Sequence, residues 1–385
     1  MNSRVTRRTF LAGSAAATLA MWGCARVRSA SPLRAEWGPE LDTYRDEKTG
    51  ALVRRLTQGD ARDEVIYQTH PMWVEGMNYL VFLSDRSGNG MRPHLLETRT
   101  GTVKPLSHTA PGTHVVARHS DAIYALEGGC IIAYDAVAAF TSGTPGRWVA
   151  DWPAEVGHSG MLSLDATERV LYSGFSREAD KKWGVMALDL PRGTWKTVTE
   201  VDFLVGHVQA NPFVTGLVSF CWETSGDAPQ RTWLVDVKDG VARPFYKETY
   251  EEWVTHEVWW GSDQALFTIW PYDDAHKEQP HGVGLVNRNT GAHRILSQYP
   301  AWHTAGSPDM RWVMGDDFDR NLWLIDPKIC ERRLLTQGHN TKPANTHPHA
   351  SFTPDSKGIV FTSSRWGNAD VCIVEIPEWD SLPAT

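Results

Sequence analysis

Two imidazoles stand two residues apart in Thr346-His347-Pro348-His349. On an extended segment, positions i and i+2 share a face, so this pair can bind one divalent metal. A candidate third ligand is His303, in Ala301-Trp302-His303-Thr304. Three neutral ring nitrogens leave coordination positions open to water or a substrate oxygen, as a catalytic rather than a structural metal site requires. The competing reading of a His-x-His pair is two imidazoles that only hydrogen-bond to the backbone. What favours chemistry here is the register in which the histidines recur.

Histidines fall at His70, His114, His158, His207, His256, His303 and His347, with spacings of 44, 44, 49, 49, 47 and 44 residues. A period of this length is the mark of stacked β-sheet repeats. After each anchor come a turn and a β-rich run, such as Tyr79-Leu80-Val81-Phe82-Leu83 and Gly358-Ile359-Val360-Phe361-Thr362. Segments such as Thr232-Trp233-Leu234-Val235-Asp236 and Leu322-Trp323-Leu324-Ile325-Asp326 then read as third strands. A fourth, opened by glycine, recurs at Gly101, Gly193, Gly240 and Gly291, and the same signature at Gly50 precedes the first repeat. The last repeat runs out after three strands, near Glu375-Ile376-Pro377. The expected fold is therefore an all-β, seven-bladed β-propeller in which an N-terminal strand completes the C-terminal blade and removes two open edges. The start of each innermost strand lies near one mouth of the central channel, so the anchors form a crown there. His70, His114 and His158 have no second ligand or base nearby and are read as holding the inner strands in register.

The 385 residues carry a formal charge of −8, with 41% hydrophobic and 22% charged residues, and a mean hydropathy of −0.37. This composition suits a large buried core and contains no membrane-spanning helix. Lys and Arg are scattered, leaving no basic footprint for nucleic acid. Residues 1–30 read as an address: Thr6-Arg7-Arg8-Thr9-Phe10-Leu11 is a twin-arginine pattern followed by a short apolar run. A propeller over 31–385 follows, expected in the periplasm or secreted. Met21-Trp22-Gly23-Cys24 fits a lipoprotein box poorly, so anchoring at Cys24 is disfavoured. Cys130, Cys221, Cys330 and Cys372 show no CxxC spacing and read as buried packing or one incidental disulfide.

From about Gly206 to Ile376 the chain resembles the oligogalacturonate lyases, propellers that split short pectin fragments by β-elimination. The matching stretches are Gly206-His207-Val208-Gln209, Gln230-Arg231-Thr232-Trp233, His256-Glu257-Val258-Trp259 and Thr346-His347-Pro348-His349-Ala350-Ser351-Phe352-Thr353-Pro354-Asp355. The N-terminal half matches only the generic repeat, as in Ser84-Asp85-Arg86-Ser87-Gly88-Asn89, which non-catalytic Tol-type propellers share. The resemblance implies a manganese-type divalent metal on His303, His347 and His349, His256 as the base, Arg231 on the substrate carboxylate, and an acidic oligosaccharide as substrate. Removing the carbon 5 proton of a uronate creates a second negative charge beside the carboxylate, and a metal with a guanidinium can neutralise it. For His256 the alternative is a structural anchor; for Arg231 it is a solvated strand residue or a blade-edge ion pair.

Two positions depart from the family pattern. Ala344 stands where a glutamine would be a fourth ligand, with Asn345 or water as substitutes, and the family's Cys-His-Glu triplet is Cys221-Trp222-Glu223. Trp222 can stack on a sugar face, and His207 and Gln209 are candidate substrate contacts or inner-strand hydrogen-bonding residues. The readings this leaves open are an oligogalacturonate lyase, a lyase for another uronate-containing oligosaccharide, and a periplasmic propeller that binds without turnover.

Overall fold

The computed structural model describes residues 35–384 apart from 89, 108–112, 225–227, 250–251, 272–279 and 340–345. The twin-arginine segment, Cys24, Ala344 and Asn345 lie outside the described residues. Seven separate antiparallel sheets follow one another along the chain. In blades 2 to 6 the anchor histidines lie on the innermost strands Thr113–Val116, Gly157–Leu164, Val205–Ala210, Glu252–Trp260 and Ala301–Gly306. Apolar residues on facing sheets form the core. Tyr172 and Val185 of blade 3, for example, pack with Val205, Phe220 and Val235 of blade 4. The glycine that opens each outer strand is a turn residue: Gly240 has φ of 67°, a region that only glycine enters without strain.

Ring closure is as expected, with one addition. Leu52–Arg55 pairs with Asp370–Glu375, in the register Val53 to Val374 and Arg55 to Cys372. Asp42–Arg45 then adds a fifth strand outside it. Blade 1 departs in another way, because its inner edge is split into Asp63–Val65 and Trp73–Val74, both paired with Tyr79–Ser84. Pro71 has no N–H to donate to a ladder, and the interruption carries Tyr67 to His70 out of the sheet. A single α-helix among the described residues, Ala136–Ser142, is capped by the Asp135 side chain. No described helix is long and apolar enough to cross a membrane. Cys221, Cys330 and Cys372 are free thiols.

The closing strand is fixed by a buried ion pair, Arg55 Nη2 to Asp370 Oδ2 at 2.8 Å. Burial raises the Asp370 pKa to about 7 against the pull of Arg55, so the guanidinium is what makes this carboxylate tolerable as an anion. Arg55→Ala should therefore lower the unfolding free energy at pH 8 by about 3 kcal/mol, the usual cost of stranding a buried charge. Adding Asp370→Asn should restore part of it, as read by urea denaturation.

Candidate functional site

In blades 4, 5 and 6 the inner strand is interrupted where the anchor histidine sits. The ladder slips between Gly206 and Gln209, between Thr255 and Val258, and between Ala301 and Thr304. A bulge breaks the side-chain alternation and re-aims a residue. His207 (φ 46°), His256 (φ 54°) and His349 (φ 41°) take left-handed backbone, which is uncommon for a residue with a Cβ and marks local strain. His347 and His349 do not lie on a strand as expected. They precede Ser351–Phe352 in an irregular segment whose Pro348 carbonyl accepts from Thr362 N–H at 2.9 Å.

These departures gather the C-terminal histidines. Ring centroids are 4.6 Å apart for His303 and His349, 5.4 Å for His303 and His347, and 6.2 Å for His347 and His349. Imidazoles sharing one ion at the usual metal–nitrogen distance place their centroids about 4.5–6 Å apart. Two of the three spacings fall in that range and His347 to His349 lies just outside it, so the rings are gathered but must draw in to share one ion. His303 Nδ1 hydrogen-bonds to Asp316 Oδ2 at 2.9 Å, while Asp316 Oδ1 accepts from the His303 backbone N–H at 2.5 Å. This leaves His303 Nε2 for a ligand, the carboxylate–histidine arrangement found behind metal-binding imidazoles. Burial, the largest cause, lowers the pKa of His303 to about 3 and of His347 to about 4, and holds His349 and His256 well below the ordinary value. All four are neutral at pH 7 and have lone pairs to offer.

At the centre of the mouth stands Tyr67, from the interruption in blade 1. Its ring lies 5.1 to 5.9 Å from those of His349, His207 and His303, and its hydroxyl is 2.6 Å from His256 Nδ1. Burial first, then Glu257, raises the phenol pKa well above its ordinary value. His256 Nε2 is buried with no hydrogen-bond partner, and the His256 ring is 4.3 Å from that of His303. Trp302 closes one side, 4.6 Å from His256. Sequence reasoning missed Tyr67 and Asp316. Both lie off the anchor register, and only the position of Tyr67 next to a Gln-Thr-His-Pro break offered a signal.

Arg231 is buried, with Glu223 Oε2 3.6 Å from its Nη2 and the Trp222 carbonyl 3.4 Å from Nη1. Its charge is felt at His256 and His207, so it belongs to the same mouth. His207 also faces this mouth, between Glu223 and Glu257. The other two expected contacts do not. Gln209 donates from Nε2 to the Glu257 carbonyl at 2.8 Å, which ties blade 4 to blade 5. It lines a cavity of ≈ 350 Å³ further along the channel, together with Ser163, Trp259 and Phe352. Trp222 alternates away from Cys221 and Glu223 and stacks on Phe203, with centroids 4.9 Å apart. Of the register-holding anchors, His70 bonds to the Leu162 carbonyl of blade 3 at 2.8 Å.

A closed seven-bladed propeller with a neutral histidine trio, a buried arginine and an unpartnered imidazole nitrogen at one mouth defines the class of molecule. No family model matches the chain. The oligogalacturonide lyase of Pectobacterium atrosepticum is 25% identical over 219 residues, and the oligogalacturonate lyase of Dickeya dadantii 24% over 221 residues. Each match covers 50% of this chain and 55% of the relative, so the chain spans about half the length of the curated relatives it matches. Among solved structures, an oligogalacturonate lyase in complex with manganese superposes with a TM-score of 0.79 at 22% identity, covering 90% of this chain and 99% of that one. The resemblance read from the sequence is thus borne out, and so is the propeller.

Arg231 is held in place from behind by Glu248, whose Oε1 accepts from the backbone N–H groups of Arg231 at 2.8 Å and Thr232 at 2.9 Å. Burial raises the Glu248 pKa to about 7 despite these donors. A carboxyl whose folded pKa lies above its unfolded value gives stability that is present below the unfolded pKa and lost as pH rises through the folded one. Between pH about 4.5 and 7, the wild type should lose stability that Glu248→Gln retains. Thermal melts of both proteins across that range check the flattening.

Proposed function

We propose that this chain is a metal-dependent lyase that cleaves short oligogalacturonates by β-elimination. The observation that carries the reading is His256. Its Nε2 is buried and unpartnered, its Nδ1 is held by Tyr67 at 2.6 Å, and it is kept neutral beside the histidine trio. The relatives and the matched structure named as oligogalacturonate lyases support the substrate class.

His303, His347 and His349 would hold the divalent metal, manganese by analogy with the matched structure. When bound, it supplies Lewis-acid charge that stabilises the negative charge growing on the uronate carboxylate. Arg231 holds the same carboxylate through its guanidinium fork. With Nδ1–H donating to the Tyr67 oxygen, the Nε2 lone pair of His256 takes the proton from carbon 5. The electrons of that C–H bond form the double bond between carbons 4 and 5, and the bond from carbon 4 to the glycosidic oxygen breaks. The departing oxygen gains its proton from water. Asp316 fixes the orientation of His303, and Trp302 excludes water from one side of His256.

With Mn2+ and trigalacturonate the wild type should produce a rise in absorbance at about 235 nm from the unsaturated uronate. His256→Ala should lower kcat by at least about 100-fold, the contribution of a general base, with metal content unchanged. Tyr67→Phe should lower kcat by about tenfold, the worth of one hydrogen bond, and leave KM alone. No rise with a fully loaded protein would turn the reading to another uronate or to binding without turnover. We further propose that the twin-arginine segment exports the chain to the periplasm. Replacing Arg7 and Arg8 with Lys should leave the full chain in the cytoplasmic fraction.

A further inference from the structure

Across Tyr67 from the histidine trio lies a second set of metal-binding side chains. A nitrogen of His207, Cys221 Sγ and an oxygen of Glu223 all lie within 4.8 Å of one another. Glu223 Oε2 is 3.6 Å from His207 Nε2 and also 3.6 Å from Cys221 Sγ. Donor atoms around one tetrahedral zinc-type ion are separated by about 3.3–3.8 Å, given metal bonds of about 2.0–2.3 Å. The group is therefore within a few tenths of an ångström to one ångström of closing on an ion. Among the described residues it is the only group of three or more histidine, cysteine or acidic side chains this tight.

A second observation points to a ligand at the same place. Glu257 is 3% exposed, and neither of its carboxylate oxygens has a hydrogen-bond partner. Its Oε1 is 3.9 Å from His207 Nδ1, which is likewise buried and unpartnered. A carboxylate removed from water with nothing donating to it costs several kcal/mol, and such a group calls for an explanation. The protein also bends its backbone to build this corner, since His207 holds a left-handed φ of 46°.

We propose that His207, Cys221, Glu223 and Glu257 form a second divalent-cation site, distinct from the histidine trio. One thiolate, one imidazole and two carboxylates are a borderline-soft set, which selects zinc-type ions over manganese. The charges balance. With the thiol ionised, Cys221, Glu223 and Glu257 bring three negative charges and Arg231 one positive, and a divalent ion cancels the remaining two. His207 thereby serves as a ligand rather than a direct contact to sugar. This site stands whether or not the chain cleaves galacturonate.

Cobalt tests it, because thiolate coordination to Co2+ gives a near-ultraviolet charge-transfer band that imidazole and carboxylate ligands do not. The full chain, stripped by chelation and titrated with Co2+, should show that band. Cys221→Ser should abolish it, while His349→Ala should keep it and lose a separate, band-free binding event. Glu223→Gln, at a half-exposed position, should keep the fold and weaken the band-forming event by on the order of tenfold or more. Cobalt binding without the band, or a band that survives Cys221→Ser because Cys330 or Cys372 carries it, overturns the proposal. If Cys221→Ser does not fold, an unchanged titration of Glu223→Gln overturns it equally.

Discussion

The seam between the first and last blades is the constraint on which the site depends. Tyr67 belongs to blade 1 and His349 to blade 7, yet their rings meet at 5.1 Å. Two hydrogen bonds pass through one threonine to hold that distance. Val65 N–H donates to Thr362 Oγ1 at 3.0 Å, and Thr362 N–H donates to the Pro348 carbonyl at 2.9 Å. On the outside of the same seam, Arg55 and Asp370 fix the closing strand. A ring left open here would keep seven folded sheets and lose the opposition of the phenol to the histidines. Closure thus serves the site as much as it hides sheet edges.

The histidines reach the channel at a backbone cost. Left-handed φ at a residue with a Cβ costs of order 1–3 kcal/mol, and His207, His256 and His349 all adopt it. Glycine would relieve the strain and remove the imidazole, so the strain follows from needing a side chain there. Bonds between blades hold the bulges in place: Gln209 Nε2 donates to the Glu257 carbonyl, Trp259 Nε1 to the Gln209 carbonyl, and Thr268 Oγ1 to the Trp302 carbonyl. Of these residues, Gln209 was a candidate substrate contact in the sequence, with inner-strand hydrogen bonding as its alternative. All three tie neighbouring blades across the bent inner strands.

The fold was legible because the period of the anchors and the glycine before each outer strand are properties of the chain itself. The convergence of His303 and His347 was legible for the same reason, and that of His349 from its place two residues after His347. The rest depends on register that spacing does not encode. A bulge decides which face His207 presents, and strict alternation decides that Trp222 turns to Phe203 while Cys221 and Glu223 turn inward. Tyr67 and Asp316 enter from strand breaks and second strands, where nothing periodic marks them. The fifth strand of the last blade was hidden because Asp42–Arg45 is polar and mostly exposed.

The electrostatics of the mouth tie its two halves together. Five desolvated imidazoles stay neutral, so they contribute lone pairs and no positive charge. On the His207 side of the mouth the fixed cation is Arg231, which already faces Glu223 at 3.6 Å with Glu257 within Coulombic reach, while Arg320 lies on the His347 side. An acidic sugar approaching this arrangement would meet two carboxylates competing for one guanidinium. A cation bound on the histidine trio, as proposed, would attract the sugar from one side of Tyr67. A second cation on His207, Cys221, Glu223 and Glu257, as proposed, would engage the competing carboxylates and free Arg231 to take a uronate. Tyr67 stands between the two groups and touches both, so with cations on each side it would act as a neutral wall with one polar atom, its hydroxyl held against His256 Nδ1.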